Sequence, residues 1–362
     1  MKLHLIFIGN MFIYNKSLQE YIIRKIEDGN EFISSITYFK DGDNSIFLYL
    51  EEELNSSNKS IIITNKQNSA TIGKLISTVT SDNQVLKDGM LIPSNALITQ
   101  ERSYLLEYKD SVINIIQIDE MQKMPTILIS DAISSEKVFI FGEEKDNAIA
   151  LLEPIAQTYE VNIEVIVIVN GFLKVNAFSK KYGNLSKFIN YAKHLLPRKL
   201  IHTSNIITHI IDKLSKDSKK MTFAESCTGG LMSYYLTKEN GASEILDGSL
   251  VTYSNKLKEN WLAVSKEVIE SEGAVSSDVV SEMSDGALNV SDADYSIAIS
   301  GIAGDFGGTK DKPVGTVYIG VRTKDEHIEE HLVLFGDRNY VQHQSVLHAL
   351  KMLINIDKNQ FF

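Results

Sequence analysis

The sequence is organised around six small, polar and reactive residues, Glu225-Ser226-Cys227-Thr228-Gly229-Gly230. Residues 221–224 before them are mostly apolar, and apolar residues follow at helical spacing as far as Asn240-Gly241. This pattern predicts a strand, a tight turn and a helix. The N–H groups that open a helix lack partners within it and lie at the positive end of its dipole, so the turn suits an anion or an oxyanion. Alternatively, Ser226 or Thr228 only caps the helix.

Length and composition predict an ordinary globular protein with two or three domains. A chain of 362 residues exceeds the size at which single hydrophobic cores stop growing, and its hydrophobic fraction is 43%. The 47 acidic residues outnumber the 36 basic ones, so we expect no direct nucleic-acid partner. Cys227 is the single cysteine, which fits a reducing compartment. No apolar run reaches the roughly 18 residues that cross a bilayer, so we expect a cytoplasmic protein without a membrane partner.

The N-terminal third alternates between strand and helix patterns, which predicts a parallel sheet. We expect strands at 3–9, 32–39 and 60–64 and helices at 17–27 and 43–54. Ligands of such sheets lie beyond the carboxyl ends of the strands. The segments 9–12 and 64–69 at those ends contain neither a glycine-rich loop nor a carboxylate pair. Within 71–123 only a strand at 112–118 and a turn near 119–120 are predicted.

A small α+β unit is predicted next, followed by a longer α/β domain. The small α+β unit is expected to contain strands at 126–130, 137–141, 164–170 and 172–178 and helices at 145–159 and 185–195. Asn170-Gly171 favours a hairpin turn between its last two strands. Beyond a helix at 203–214 and the organising stretch, we expect strands at 247–253, 295–299, 316–322 and 329–335, and helices at 256–262, from Ser276 or Ser277 to 290, and at 340–354. The fold class is therefore α/β, with an N-terminal parallel-sheet α/β domain (1–125), a small α+β middle domain (126–200) and a C-terminal α/β domain (201–362).

Lys258 is the best candidate for a base that activates Ser226, because no histidine is convincingly placed for that role. A lysine with its usual pKa of about 10.4 stays charged at neutral pH, so the pKa must fall by roughly two to three units. On spacing alone, Lys258 fits a solvated helix position better, and Tyr253 fits a core position at a strand end. His327 and His331 have i, i+4 spacing without an acidic helper, so no metal is expected there.

A glycine-rich segment follows the strand predicted at 295–299. Four glycines within 301–308 indicate positive φ angles or close backbone approach to a ligand, typically a phosphate. The segment has neither the Walker pattern nor the dinucleotide fingerprint, and a plain flexible loop is the alternative. Arg338, at a predicted helix start, either binds a phosphate or pairs with Asp337.

Six motifs occur in order at 224–230, 251–255 with Lys258, 273–276, 300–304, 312–317 and 336–338. Together they resemble the CinA family of competence/damage-inducible proteins over residues 205–362. The resemblance implies nicotinamide mononucleotide deamidase activity, in which water replaces the carboxamide nitrogen to give nicotinate mononucleotide and ammonia for pyridine nucleotide recycling. It implies no metal and no organic cofactor. We expect a small-molecule nucleotide as substrate and a homodimer.

The resemblance also implies roles for individual residues. Ser226 attacks the carboxamide carbon, Lys258 takes its proton and Tyr253 relays or orients that proton. The N–H groups at the helix start, residues 228–230, hold the oxyanion, and the glycine-rich loop at 301–308 and Arg338 hold the ribose phosphate. The implied substrate-binding residues are Thr228, Gly229, Gly230, Asn255, Gly301, Ala303, Gly304, Thr316 and Arg338. Asp305 departs from the family, which usually has proline there. A carboxylate beside a phosphate loop weakens binding unless it points away or meets Lys310 or Lys312.

The N-terminal third resembles a degenerate form of the family's molybdopterin-binding-like domain. Segments 10–13 and 64–68 replace the acidic and glycine-rich motifs that accompany ADP-ribose pyrophosphatase activity. Without carboxylates little holds a divalent metal, so we expect a domain that supports dimerisation or positioning and has lost the hydrolase. Two other functions stay open for the whole chain. One is a non-enzymatic adaptor in DNA uptake or repair, and the other is an amidohydrolase acting on another phosphorylated amide.

Overall fold

A computed structural model describes residues 3–28, 33–87, 89–129, 135–179, 182–304 and 306–362. The chain divides into two compact units, Met1–Ser135 and Glu136–Phe362. Both combine helices with sheets, so the predicted α/β class is confirmed. The described residues include no helix that is long and apolar enough to span a membrane.

A six-stranded mixed sheet forms the first unit. The strands of this unit are β1 (Leu3–Ile8), β2 (Ile33–Phe39), β3 (Lys59–Thr64), β4 (Gln84–Lys87), β5 (Met90–Pro93), β6 (Ile98–Gln100), β7 (Ser103–Tyr108) and β8 (Ser111–Gln117). The sheet order is β2-β1-β3-β8-β7-β6, and β4 pairs with β5 separately. Strands β1, β2, β3 and β8 run parallel, whereas β7 and β6 are antiparallel. The predicted parallel sheet is therefore confirmed, with an antiparallel extension.

Helices cover both faces of this sheet because its inner strands are apolar on both sides. They are α1 (Asn10–Tyr14), α2 (Lys16–Asp28), α3 (Ile46–Leu54) and α4 (Lys66–Thr80). Ile6 and Ile62 pack with α3 and α4, while Leu5 and Ile61 face α2. Sequence patterns missed α4, which is rich in Ser and Thr, and the short strands β4 to β7. The strand predicted at 126–130 is wrong for 126–129, which have no ladder partners, and Ser130 lies outside the described residues.

The second unit begins with a four-stranded sheet in the order β10-β11-β9-β12. Its elements are β9 (Ser135–Phe141), α5 (Lys145–Thr158), β10 (Val161–Val169), β11 (Phe172–Ser179), α6 (Leu185–Leu195) and β12 (Leu200–His202). The predicted hairpin between β10 and β11 is confirmed, with Gly171 at a φ of 71°. Helices α5 and α6 cover one face, and Phe141 and Phe172 on the other face join the core of the C-terminal sheet. The division into three domains stays a prediction.

A five-stranded sheet carries the C-terminal part of this unit. Its strands are β13 (Met221–Glu225), β14 (Leu246–Val251), β15 (Tyr295–Gly301), β16 (Thr316–Thr323) and β17 (His327–Val333), in the order β14-β13-β15-β16-β17. The helices are α7 (Ile206–Lys216), α8 (Leu231–Thr237), α9 (Ala242–Ile245), α10 (Asn255–Leu262), α11 (Lys266–Glu272), α12 (Ser277–Asn289), α13 (Arg338–Ile356) and α14 (Lys358–Phe361). Strands β14, β13 and β15 are parallel, and β16 and β17 are antiparallel additions.

Strand β13 lies in the centre of the parallel trio and is buried along its whole length. Apolar residues of α12 pack on one side of it, and those of α13 and α7 pack on the other. Its carboxyl end therefore delivers residues 226–230 to the edge where α/β sheets bind ligands. The helix predicted to reach residue 240 ends at Thr237, and Gly241, at a φ of 86°, is the N-cap of the separate helix α9. Ser276, not Ser277, caps α12.

Candidate active site

Ser226 follows β13 directly and is held by the sheet. Its N–H donates to the Ile299 carbonyl at 2.9 Å, and its side chain is 8% exposed. The chain then reverses into α8 through Gly229 and Gly230, whose φ angles of 59° and 101° lie in the left-handed region. Glycine adopts that region without strain, which explains the pair at this turn.

Lys258 lies beside the serine hydroxyl in a buried position. Its Nζ is 3.0 Å from Ser226 Oγ and 2.7 Å from the Thr252 carbonyl oxygen, and the side chain is 1% exposed. Ser254 positions the helix by capping α10 through the Leu257 N–H. Burial lowers the pKa of Lys258 to about 8, so a useful fraction of the amine is neutral near neutral pH. Sequence spacing favoured a solvated lysine, and this expectation is wrong because α10 packs Lys258 against the end of β13.

Tyr253 lies apart from this pair. Its hydroxyl accepts a hydrogen bond from Arg338 Nη2 at 2.8 Å, and the residue is 59% exposed, so the core position that spacing favoured for it is wrong. Among the described residues it makes no hydrogen bond to Ser226 or Lys258, so its role as a proton relay stays a prediction. Arg338 does not pair with Asp337, whose carboxylate instead caps α13 through the Tyr340 N–H at 2.8 Å.

The glycine-rich loop leads from β15 to β16 alongside Arg338. A Cβ on Gly301 would lie 3.1 Å from Cys227 Sγ, and one on Gly304 would lie 2.9 Å from Arg338 Nη1. Both glycines therefore permit close packing against the site. Lys312 Nζ donates to the carbonyls of Glu272 and Val275 at 2.5 and 2.7 Å, which ties the loop to the turn after α11.

The remaining predicted substrate-binding residues differ from one another in burial and in hydrogen bonding. Thr316 donates its hydroxyl to the Pro313 carbonyl at 2.7 Å, so it serves the loop itself. Ala303 is buried, whereas Asn255 is exposed at the start of α10. Asp305 lies outside the described residues, and the effect of this departure from the family stays a prediction.

Glu225 is a site residue that sequence reasoning missed. Its carboxylate is fully buried and accepts the N–H groups of Gly230, Met232 and Ser233 and the hydroxyl of Ser249, each at 3.0 Å. A carboxylate thus satisfies the N-terminus of α8 and complements its dipole. The signal was present in the sequence as an acidic residue between an apolar strand and a helix start.

Some backbone N–H groups of the turn already donate hydrogen bonds, which limits the donors that can bind an oxyanion. Gly230 donates to Glu225 and Gly229 donates to the Ser226 carbonyl at 3.1 Å, so neither N–H is free for that role. The N–H groups of Cys227 and Thr228 donate to no other residue within the described part of the chain. Of the three predicted helix-start donors, only Thr228 therefore stays available, and Cys227 joins it.

Cys227 is unsuited to be the nucleophile. Burial raises the pKa of its thiol to about 12, so it stays protonated at neutral pH. Its carbonyl oxygen accepts a hydrogen bond from Gln342 Nε2 at 2.6 Å, a contact that sequence reasoning did not anticipate.

Residues 203–356 match the sequence model of the CinA C-terminal domain family. This domain belongs to the CinA family. A putative competence-damage inducible protein of Thermoanaerobacter sp. (strain X514) is 41% identical over 144 residues, which are 40% of this chain and 35% of that protein. A CinA-like protein of Thermotoga maritima is 43% identical over 145 residues, again 40% and 35%. The match thus spans about a third of each relative's length. The names specify no reaction.

Solved structures named as competence/damage-inducible proteins are similar to the same CinA domain. CihA of Agrobacterium tumefaciens is 34% identical, with a TM-score of 0.41 over 42% of this chain and 93% of that one. A CinA superfamily protein of Escherichia coli is 33% identical, with a TM-score of 0.41 over 42% and 88%.

Side chains that could bind a metal ion do not cluster in the part of the CinA domain that the structure describes. Within the described residues of the whole chain, no three His, Cys, Asp or Glu side chains are arranged to hold a metal ion. His327 and His331 lie on strand β17, and the ring of His331 stacks on Tyr318 with centroids 4.4 Å apart.

Replacing Glu225 by glutamine should destabilise the CinA domain. The amide NH₂ would face backbone N–H donors and the charge at the start of α8 would be lost, so we expect the free energy of unfolding to fall by about 2–4 kcal/mol. Urea unfolding followed by fluorescence of Trp261, the single tryptophan, measures this change. Glu270→Gln is the control, because Glu270 makes only an exposed helix pair with Lys266. A loss below about 0.5 kcal/mol in Glu225→Gln would contradict the prediction.

Proposed function

We propose that the CinA domain hydrolyses nicotinamide mononucleotide to nicotinate mononucleotide and ammonia, with Ser226 as nucleophile. The observation that carries this proposal is the 3.0 Å contact between Ser226 Oγ and Lys258 Nζ at the end of β13. A hydroxyl becomes nucleophilic when a neighbouring base removes its proton, and a lysine with a pKa of about 8 is such a base. The resemblance of the surrounding motifs to the CinA family supplies the substrate.

Acylation begins with neutral Lys258. Its Nζ takes the proton of Ser226 while Oγ bonds to the carboxamide carbon, and the carbonyl π electrons move onto oxygen. The free N–H groups of Cys227 and Thr228 are the donors that stabilise this oxyanion. The lysine ammonium then gives its proton to the amide nitrogen, the C–N bond breaks, and ammonia leaves an acyl group on Ser226.

Deacylation repeats the same proton transfers with water. Lys258 takes a proton from water as the water oxygen bonds to the acyl carbon, the ester bond breaks, and Ser226 Oγ recovers a proton. The net reaction converts an amide and water into a carboxylic acid and ammonia. The buried hydroxyl of Thr228, which has no partner among the described residues, supports a contact with a substrate polar group.

Recognition of the substrate phosphate is the specific expectation for Arg338. Its guanidinium is exposed between Tyr253 and Gly304, and Arg favours bidentate contact with phosphate. Ammonia release should therefore be faster with nicotinamide mononucleotide than with nicotinamide riboside. Arg338→Met should raise KM for the mononucleotide about 10- to 100-fold and leave the riboside nearly unchanged. Arg24→Met is the control, since Arg24 makes only an exposed pair with Glu20. Equal loss for both substrates would contradict a phosphate contact.

The alternative functions predict different results in the assay of ammonia release. Ammonia release that depends on Ser226 but requires another phosphorylated amide would favour an amidohydrolase of different specificity. No ammonia release from any amide would favour an adaptor. The homodimer and the cytoplasmic location stay predictions.

We propose that the first unit has a supporting role and no pyrophosphatase activity. At the carboxyl edge of β1 and β3, Asp41 accepts hydrogen bonds on both oxygens, from the Asn68 amide at 2.6 Å and from the Asn10 N–H at 3.3 Å. A carboxylate that is already paired with amides is poorly placed to bind a divalent metal, which supports the loss of that chemistry.

A further inference from the structure

Helix α13 contacts the nucleophile turn through one side chain near its start. Gln342 Nε2 donates to the Cys227 carbonyl oxygen at 2.6 Å, and Gln342 itself is half-buried. Arg338, four residues earlier on the same helix, contacts Tyr253 and Gly304. Residues four apart share a helix face, so α13 presents both side chains to the site.

The carbonyl that Gln342 holds belongs to the same peptide group as the Thr228 N–H. A peptide group is planar, so fixing the C=O direction also fixes the N–H direction on its opposite side. A donor bound to the oxygen further polarises that N–H, because linked hydrogen bonds reinforce one another. The Thr228 N–H makes no hydrogen bond within the described part of the chain and is therefore available to a ligand.

The backbone closes the turn around this peptide without bonding to it directly, because the Gly229 N–H donates to the Ser226 carbonyl at 3.1 Å. At the start of the turn, the Ser226 N–H donates to the Ile299 carbonyl. At its end, the Gly230 N–H donates to the Glu225 carboxylate. Among the described residues, Gln342 makes the hydrogen bond to the Cys227 carbonyl between these points. Within the described part of the chain, the direct contact to this peptide group thus comes from a side chain of another element, Gln342 of α13.

We propose that Gln342 is a positioning residue that orients and polarises the Thr228 N–H toward the oxyanion formed at Ser226. This inference rests on Ser226 being the nucleophile of the proposed function. Docking of α13 does not require Gln342, because Val341, Val346 and Leu350 bury the helix in the core. A purely structural role would therefore leave the reactivity of Ser226 unchanged.

A fluorophosphonate reagent tests the proposal on the full chain without the nucleotide substrate. Ser226 Oγ bonds to phosphorus, the P–F bond breaks, fluoride leaves and Lys258 receives the serine proton. The phosphoryl oxygen occupies the oxyanion position, so the rate of Ser226 labelling, measured by mass spectrometry, reports the Thr228 N–H. In Gln342→Met, which has similar size and no donor, we expect labelling to slow about 10- to 100-fold. Gln342→Lys restores a donor and should recover to within about fivefold of wild type.

Controls separate the outcomes. Gln344→Met changes the same residue type on the same helix at a position with no hydrogen bond to the turn, and should label like wild type. Labelling of Gln342→Met within about twofold of wild type, or equal slowing in Gln342→Lys, would overturn the proposal. A wild-type protein that fails to label at Ser226 would overturn it together with the nucleophile. Normal labelling without ammonia release from nicotinamide mononucleotide would instead reject the proposed substrate, and the comparison at Gln342 would still decide the inference.

With nicotinamide mononucleotide as substrate, the same substitutions should affect kcat and KM to different extents. Gln342→Met acts on the transition state, so kcat should fall about 10- to 100-fold while KM changes less than about threefold. Loss confined to KM would indicate a substrate contact and would overturn the positioning role.

Discussion

Replacing Ser226 by alanine should lower kcat for ammonia release from nicotinamide mononucleotide by at least about 10⁴-fold. Removing a nucleophile eliminates the covalent route, and the remaining rate comes from binding and oxyanion stabilisation alone. Lys258 loses one hydrogen-bond partner in this variant but keeps the Thr252 carbonyl at 2.7 Å, so the fold should persist. The measurement is initial ammonia release at saturating substrate, compared with wild type.

Ser345→Ala is the matched control for this variant. Ser345 is fully buried in the same unit and bonds only within α13, to the Val341 carbonyl at 2.7 Å. Its activity should equal that of wild type. If Ser226→Ala retained wild-type activity, the nucleophile would be misassigned, and because burial keeps the Cys227 thiol protonated, a directly activated water would be the next candidate.

Replacing Lys258 by methionine should lower kcat/KM by about 10³- to 10⁴-fold and remove its pH dependence. In the wild type only neutral Lys258 accepts the serine proton, so kcat/KM should rise with pH through a midpoint near 8. The methionine variant lacks this titration, and its residual rate should be nearly flat from pH 6.5 to 9.5. A wild-type profile without a midpoint between about 7 and 9 would contradict Lys258 as the base.

The same lysine gives a stability prediction with a definite sign. Its pKa falls from 10.5 to about 8 on folding, so between these pH values the unfolded chain binds a proton that the folded chain does not. Stability then rises with pH in this window. Relative to Lys258→Met, wild type should gain about 3 kcal/mol between pH 8 and 10.5. Urea unfolding followed through Trp261 measures the difference, and Lys266→Met, at an exposed position, should show no such slope.

Local patterns determined most elements of the second unit and the core of the first sheet. Apolar strands, the hairpin glycine Gly171 and the turn glycines Gly229 and Gly230 act through near neighbours, so their structure follows from adjacent residues. Prediction failed at α4 and at β4 to β7, because short strands and a Ser/Thr-rich helix carry weak periodicity and take their stability from tertiary packing.

Some features of the candidate active site likewise follow from local sequence, and others depend on the tertiary structure. The residue order at 224–230 determined by itself that a serine would lie in the turn between a strand and a helix, and the motifs of the sequence indicated the CinA family. Only the tertiary structure decided that Lys258 is buried 3.0 Å from that serine, that Glu225 occupies the helix N–H groups, that Tyr253 pairs with Arg338, and that Gln342 holds the Cys227 carbonyl. The reason is physical: pKa values, free donors and side-chain partners depend on groups that lie far apart in the chain and meet only when the sheet and α13 assemble.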